Sequence, residues 1–466
     1  TWVVRERGFL RARSLLGGLG LLGLALAIGA LPLEAVAALV GIVVVVPLAF
    51  YRPAALLYVL ILVIPFSSLA EVEVGDFAIS VTEPLVALLL LAWLAKGVTR
   101  RAITWRLTAL GAVLMVSLGV QGVSALGAID LLDSAKEILK WVELLVAFSV
   151  VAVDVAPEER WRLLAVASVA AAAEATVGVV QFVAGIGPPA FAIGPFMRAH
   201  GNFEQPNPFA GYLAMMLPLA VTGALLGARS RWVWWVSLAT GPAIALGLLL
   251  SLSRGGWLGA AAGVGAVLLV WSQATRRLLV LAVVAGLALV VAAVLGAMPA
   301  VVAERMQATV EYFGVFDVRA IEVTPENWAV AERLAHWQAA WSMFLSRPVF
   351  GVGVGNYAAA YPDHFILGWD NPLGHAHNFY LNVLAEQGLA GLAVWLILLL
   401  VVVRTALANL DRSGMATARR AVNVAVLGQT AAFATHSLFD NLFVHGLGVL
   451  IGLLWGMLIV EDRSDG

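Results

Sequence analysis

Two histidines close the polar part of an otherwise apolar chain. Gly374-His375-Ala376-His377-Asn378 stands where a long non-apolar segment, roughly 299–376, gives way to hydrophobic sequence. An ordinary imidazole titrates near pH 6.5 and can take a proton from a hydroxyl at neutral pH, so His375 and His377 are candidates for a general base. The structural alternative is that they cap the next helix or sit among headgroups. His-x-His offers a metal two ligands at most. No Asp-x-Asp and no His, Cys or carboxylate cluster of zinc spacing completes a site, so neither metal nor cofactor is expected.

Two arginines complement them. Arg198 opens Arg198-Ala199-His200-Gly201-Asn202-Phe203-Glu204-Gln205-Pro206-Asn207-Pro208-Phe209, and Arg254 lies in Ser251-Leu252-Ser253-Arg254-Gly255-Gly256. A guanidinium is always charged and forks two hydrogen bonds onto phosphate oxygens, while adjacent glycine lets a ligand approach the backbone. The bland readings are solvation for Arg198 and, for Arg254, an outer turn whose side chain snorkels to headgroups. Asn207, with Pro208 in the first turn, is expected to cap the incoming helix. Asn378, Asn382, Glu386 and Gln387 are expected to form a wet face beneath the histidines. Gly351-Val352-Gly353-Val354-Gly355 reads as a plain turn before it reads as a phosphate cradle. His436 and Asp440 either join the site or cap a helix, and the cap is the expectation.

The elements that must hold these residues follow from composition. With 62% hydrophobic and 12% charged residues and a mean hydropathy of +0.94, the chain is far from a soluble domain. Its long Leu/Val/Ala/Ile runs lack the alternation of an outer-membrane strand, so the spans are helices and the class is an all-α polytopic membrane protein. Spans are predicted near 15–31, 35–50, 54–66, 82–95, 107–126, 137–153, 162–183, 209–226, 232–251, 255–271, 278–297, 378–403, 421–437 and 443–460. Several are short, giving 12–14 spans and an even number of them. The first apolar run is followed at once by others and reads as a span, not a cleaved leader. With the N-terminus inside, 20 of the 28 Lys and Arg fall in inward positions, leaving Lys136, Lys140, Arg198, Arg254, Arg305, Arg319, Arg333 and Arg347 outside. The expected organisation is a helix bundle over 1–298, a mostly helical outer domain over 299–376 and further spans over 377–466. The absence of cysteine excludes disulfides and thiolate sites.

At these residues the sequence resembles the O-antigen ligase family, which includes O-antigen polymerases and protein O-oligosaccharyltransferases. The likeness lies in Asn202 to Leu213 (N-x-x-x-x-N-P-F-A-x-Y-L), Ser253-Arg254-Gly255-Gly256, Arg347 to Tyr357 (R-P-x-x-G-x-G-x-N-Y) and His375 to Gly391 (H-x-H-N-x-x-L-x-x-L-x-E-x-G-x-x-G). The resemblance implies a GT-C-like, metal-independent glycosyltransferase in the bacterial inner membrane, its active site facing the periplasm. It implies undecaprenyl pyrophosphate as glycan carrier, Arg198 and Arg254 on the pyrophosphate, and His377 as the base. His200, Asn202, Asn207 and Asn378 are further expected at the substrate. Lipid A–core is the expected acceptor because the single outer segment is moderate in size; another lipid-linked glycan or a protein hydroxyl are the alternatives. Membrane lipids are expected around the chain, and no nucleic acid. A lipid-linked glycan flippase, the rival from another class, would show inverted repeats and polar groups along its whole path, and neither is seen.

Overall fold

The computed structural model describes residues 33–74, 77–101, 107–226, 231–294, 317–324, 327–411 and 417–459. Among the described residues the regular structure is helical apart from two minimal antiparallel hairpins, Val72–Val74 with Phe77–Ile79 and Ala192–Ile193 with Phe196–Met197. The helices are α1 (Leu33–Tyr51), α2 (Pro53–Val63), α3 (Thr82–Thr99), α4 (Ala109–Ala125), α5 (Leu131–Asp154), α6 (Pro157–Ala184), α7 (Pro206–Leu226) and α8 (Arg231–Leu250). They continue as α9 (Arg254–Trp271), α10 (Gln273–Val294), α11 (Trp328–Ser346), α12 (Tyr357–Ala360), α13 (Phe379–Leu410), α14 (Thr417–His436) and α15 (Leu447–Gly456). Each predicted span from 35–50 onward coincides with one of these; 15–31 lies outside the described residues. Among the described residues, six helices (α3, α6, α7, α8, α9 and α13) are long and apolar enough to cross a membrane on their own, and shorter apolar helices accompany them.

Local chemistry fixes the ends. Proline occupies the first position of α2, α6 and α7, where its missing N–H costs nothing. Thr108, Asp130, Ser253 and Asn378 cap α4, α5, α9 and α13 through side-chain oxygens that accept backbone N–H groups. The centre of the bundle is α7, buried along most of its length. Small residues bring its neighbours close: a Cβ on Gly263 of α9 would lie 2.7 Å from the Gly428 carbonyl oxygen of α14, and one on Gly256 would lie 2.7 Å from Ala210 of α7.

The outer segment packs onto this bundle. α11 sets Ala339, Ala340 and Met343 against Tyr357, Tyr361, Ala376 and Ala385, a small core that joins the segment to the first turns of α13. Helix α13 is broken at Gly388, whose φ of 65° and ψ of −160° leave the helical region. The break is required, because a Cβ there would stand 2.4 Å from the Val349 carbonyl carbon. The turn at 347–351 threads through this gap, where Leu389 and Ala390 donate to the Pro348 and Val349 carbonyls.

Candidate active site

The loop between α14 and α15 brings the decisive residue. Asp440 is buried, and its Oδ1 lies 3.5 Å from His377 Nδ1 and 3.6 Å from His375 Nε2. Asp440 therefore stands between the histidines and does not end a helix, correcting the capping role expected for it. Its arrival also corrects the expectation that His-x-His finds no third ligand, since one ligand atom from each of His375, His377 and Asp440 falls within 4.8 Å of the others.

The two histidines are not equivalent. His375 Nδ1 accepts the His377 backbone N–H at 3.0 Å, so the ring proton of neutral His375 sits on Nε2, facing Asp440. Burial outweighs the attraction of Asp440 and pushes His375 down to about 4, leaving it neutral at physiological pH. His377 turns Nδ1 toward Asp440, which leaves Nε2 as the nitrogen available to a substrate. Its φ of 51° is unusual for a residue with a side chain, and this strain is stored at the junction of loop and helix. The junction is held from both sides: Asn378 Oδ1 accepts the Leu381 N–H, and Asn382 Oδ1 accepts the Ala376 N–H. Burial alone would raise the Asp440 carboxyl, but the nearby His377, His375 and His436 rings hold it well below the usual carboxylate range.

Three guanidiniums gather at the same place. Arg198 donates from Nε to the Ser251 carbonyl (2.7 Å) and from Nη2 to Asn207 Oδ1 (3.0 Å), and Asn207 Oδ1 also accepts from Ser253 Oγ (3.1 Å). Asn207 thus lies inside α7 and clamps Arg198 instead of capping the helix. The helix starts one residue earlier, at Pro206. Arg254 is the first residue of α9, exposed in a tight turn after Ser253. Arg333 of α11, which sequence reasoning left without a role, completes the group. Burial, then Arg333, pushes Arg198 down to about 10, with Asp440 opposing and Arg254 adding to the repulsion. Burial likewise lowers Arg333, which feels Asp440 and Arg254 in turn. Three like charges are crowded here beside Asp440 and, at Arg333, Glu332, an arrangement that favours a polyanion.

The remaining expected residues are committed elsewhere. Asn202 donates its backbone N–H and Nδ2 to the Glu174 carboxylate, and its carbonyl accepts from Ser68 Oγ. His200 is buried against Phe191, with Nδ1 3.3 Å from the Arg198 carbonyl oxygen. Both shape the loop that carries Arg198. The expected wet face of α13 is dry, for Asn382, Glu386 and Gln387 are all buried. The Glu386 carboxylate accepts N–H groups from Gly355 and Tyr357, both at 3.0 Å, so the protein's own carboxylate fills the glycine-rich turn. Arg347 donates to the Gly127 carbonyl and is structural. His336, also unassigned from sequence, lies under His377 with ring centroids 5.8 Å apart and bonds Tyr357 Oη at 2.9 Å; burial pushes it down to about 4.

Chemically, the arrangement offers an imidazole with a carboxylate behind it and fixed cations beside it. That set suits proton removal from a hydroxyl coupled to departure of an anionic group. A family model described as O-antigen ligase matches residues 243–396, a stretch holding Arg254, Arg333, His375 and His377 but not Arg198 or Asp440. The resemblance carried by the sequence motifs is thereby shown over that segment. No curated protein matches the chain.

Proposed function

Starting from a multi-pass membrane chain similar over 243–396 to the O-antigen ligase family, we propose that it is a metal-independent, inverting glycosyltransferase. In this reading it moves an O-antigen glycan from undecaprenyl pyrophosphate to the lipid A–core oligosaccharide at the periplasmic face of the bacterial inner membrane. The observation that carries the reading is the gathering of Arg198, Arg254 and Arg333 around the Asp440–His377 pair.

The step is one displacement. His377 Nε2 takes the proton of the acceptor hydroxyl as its oxygen attacks the anomeric carbon. The bond from that carbon to the pyrophosphate oxygen breaks, and its electron pair leaves with the pyrophosphate. The guanidiniums hold the charge that develops there, and because they are fixed in place they need no reorganisation as it grows. Asp440 stabilises the imidazolium formed at His377 and holds the ring with Nε2 toward the acceptor. A single displacement needs one base and no carboxylate nucleophile. Lipid A–core is favoured as acceptor over a second lipid-linked glycan, the polymerase alternative, because the outer segment is modest in size.

A second reading places a divalent ion among His375, His377 and Asp440, whose ligand atoms are close enough to share one. Three neighbouring guanidiniums make that position costly for a dication, and because His375 Nδ1 accepts a backbone N–H, the ring proton sits on Nε2, the nitrogen that would have to bind the ion. The test is glycan transfer in proteoliposomes with purified lipid-linked donor, offering each acceptor separately. Activity is expected to survive EDTA and to vanish in His377→Ala while donor binding persists. Loss of transfer on chelation, restored by one divalent metal, would overturn the metal-free mechanism, and full activity of His377→Ala would overturn the base.

A further inference from the structure

The α14–α15 loop that carries Asp440 has a second polar surface. Its Phe443–Gly446 stretch lines a cavity of about 260 Å³ together with Glu71, Ser80, Glu83, Lys140 and Glu143. Most of these groups have partners. Glu83 Oε2 accepts from Ser80 Oγ at 2.6 Å, Glu71 Oε1 lies 3.9 Å from His445 Nδ1, and Lys140 Nζ donates to Glu137 Oε2 at 2.7 Å. Glu143 differs. It is only 8% exposed and lines the cavity, where it feels the charge of Lys140 but accepts no hydrogen bond among the described residues. A buried carboxylate without a donor is expensive, and a ligand bringing O–H or N–H groups would relieve it.

The lining narrows what that ligand is. Three carboxylates face the space, and the one lysine is already matched to Glu137, so a phosphate or pyrophosphate is repelled. The glutamates do not converge on one metal ion, because among the described residues only His375, His377 and Asp440 bring ligand atoms that close together. What fits is a neutral or amine-bearing ring rich in donors, with hydroxyls paired on the acceptor-only carboxylates and its C–H face on Phe443, Val444 and Val449.

We infer that this cavity is a sugar subsite, in which Glu143, Glu83 and Glu71 hold a hydroxyl-rich ring of one of the two substrates. The inference rests on the glycosyltransferase reading above and adds where a sugar is gripped apart from the pyrophosphate. Donor glycan and acceptor core share this chemistry, so the test separates them. Glu143→Gln and, on a different helix, Glu83→Gln are prepared in the full chain in lipid nanodiscs. KM is measured for donor and acceptor independently, alongside calorimetric binding of delipidated core oligosaccharide, of the free O-antigen glycan and of inorganic pyrophosphate.

Loss of a charge-assisted hydrogen bond is expected to raise one KM and the matching oligosaccharide Kd about ten- to hundredfold, with pyrophosphate binding and kcat little changed. Whichever oligosaccharide weakens identifies the occupant. Wild-type affinity for both in folded Glu143→Gln and Glu83→Gln overturns the inference, as does weakening of pyrophosphate alone. The isotherms need no turnover, so they are read separately from the His377→Ala experiment that tests the glycosyltransferase reading itself.

Discussion

Replacing Asp440 by Asn removes one charge while keeping the shape of a buried side chain. In the proposed transition state His377 carries a positive charge 3.5 Å from that carboxylate. At an effective dielectric of about 20 the pair is worth roughly 5 kcal/mol, an upper figure because neighbouring dipoles recover part of it. A net loss of about 3–4 kcal/mol corresponds to a fall in kcat on the order of 10²–10³. An amide can also turn its NH₂ to His377 Nδ1, which leaves the proton on Nε2 and removes the basic lone pair. Single-turnover transfer from radiolabelled lipid-linked donor reads kcat directly, and donor binding is expected to stay near wild type. Asp440→Asn turning over within about threefold of wild type, with an unchanged melting temperature, would refute the assignment of Asp440 to the base.

Three further outcomes follow from the same geometry. Arg254→Ala, lacking an exposed guanidinium that has no hydrogen-bond partner among the described residues, is expected to weaken donor binding and slow transfer on the order of 10²-fold; Arg254→Lys recovers only part, as donor titrations with both variants check. Gly388→Ala places a methyl group against the 347–351 turn at a φ of 65° and is expected to destabilise the protein by about 2–3 kcal/mol, read as a lowered melting temperature in detergent. His336, pushed down to about 4 by burial, binds fewer protons folded than unfolded between that value and the ordinary 6.5, so stability falls as pH is lowered through this window. Melting curves from pH 7 to pH 5 are expected to show that decline, and His336→Gln to make it shallower, with His375 still contributing.

The helices were legible because an apolar run in hydrocarbon has few conformational choices, and each run beyond the first coincides with a described helix. Both arginine turns and the His-x-His element were visible for a related reason: polar residues stand out between apolar stretches. What stayed hidden was long-range pairing. Asn207 looked like a cap from its local spacing with Pro208, yet its oxygen is claimed by Ser253 and Arg198 from other elements. The glycine stretch read as a plain turn, and nothing nearby in sequence announced that Glu386 fills it. Asp440 and Arg333 carry no motif; a charged residue in a short apolar connection was the only signal for Asp440, and an amphipathic helix gave Arg333 a solvated alternative. The polar face of α13 was correctly placed but wrongly wetted, because its partners are backbone amides of the preceding loop.

The break at Gly388 divides α13 into a short polar head, clamped to the loop and the histidines, and a long apolar shaft. Since the head is fixed by its own hydrogen bonds, tilting or stretching of the shaft to match a thicker or thinner bilayer need not reach the histidines. In the proposed mechanism, the histidine loop is thereby separated from the shaft of α13 by a break in its backbone hydrogen bonding.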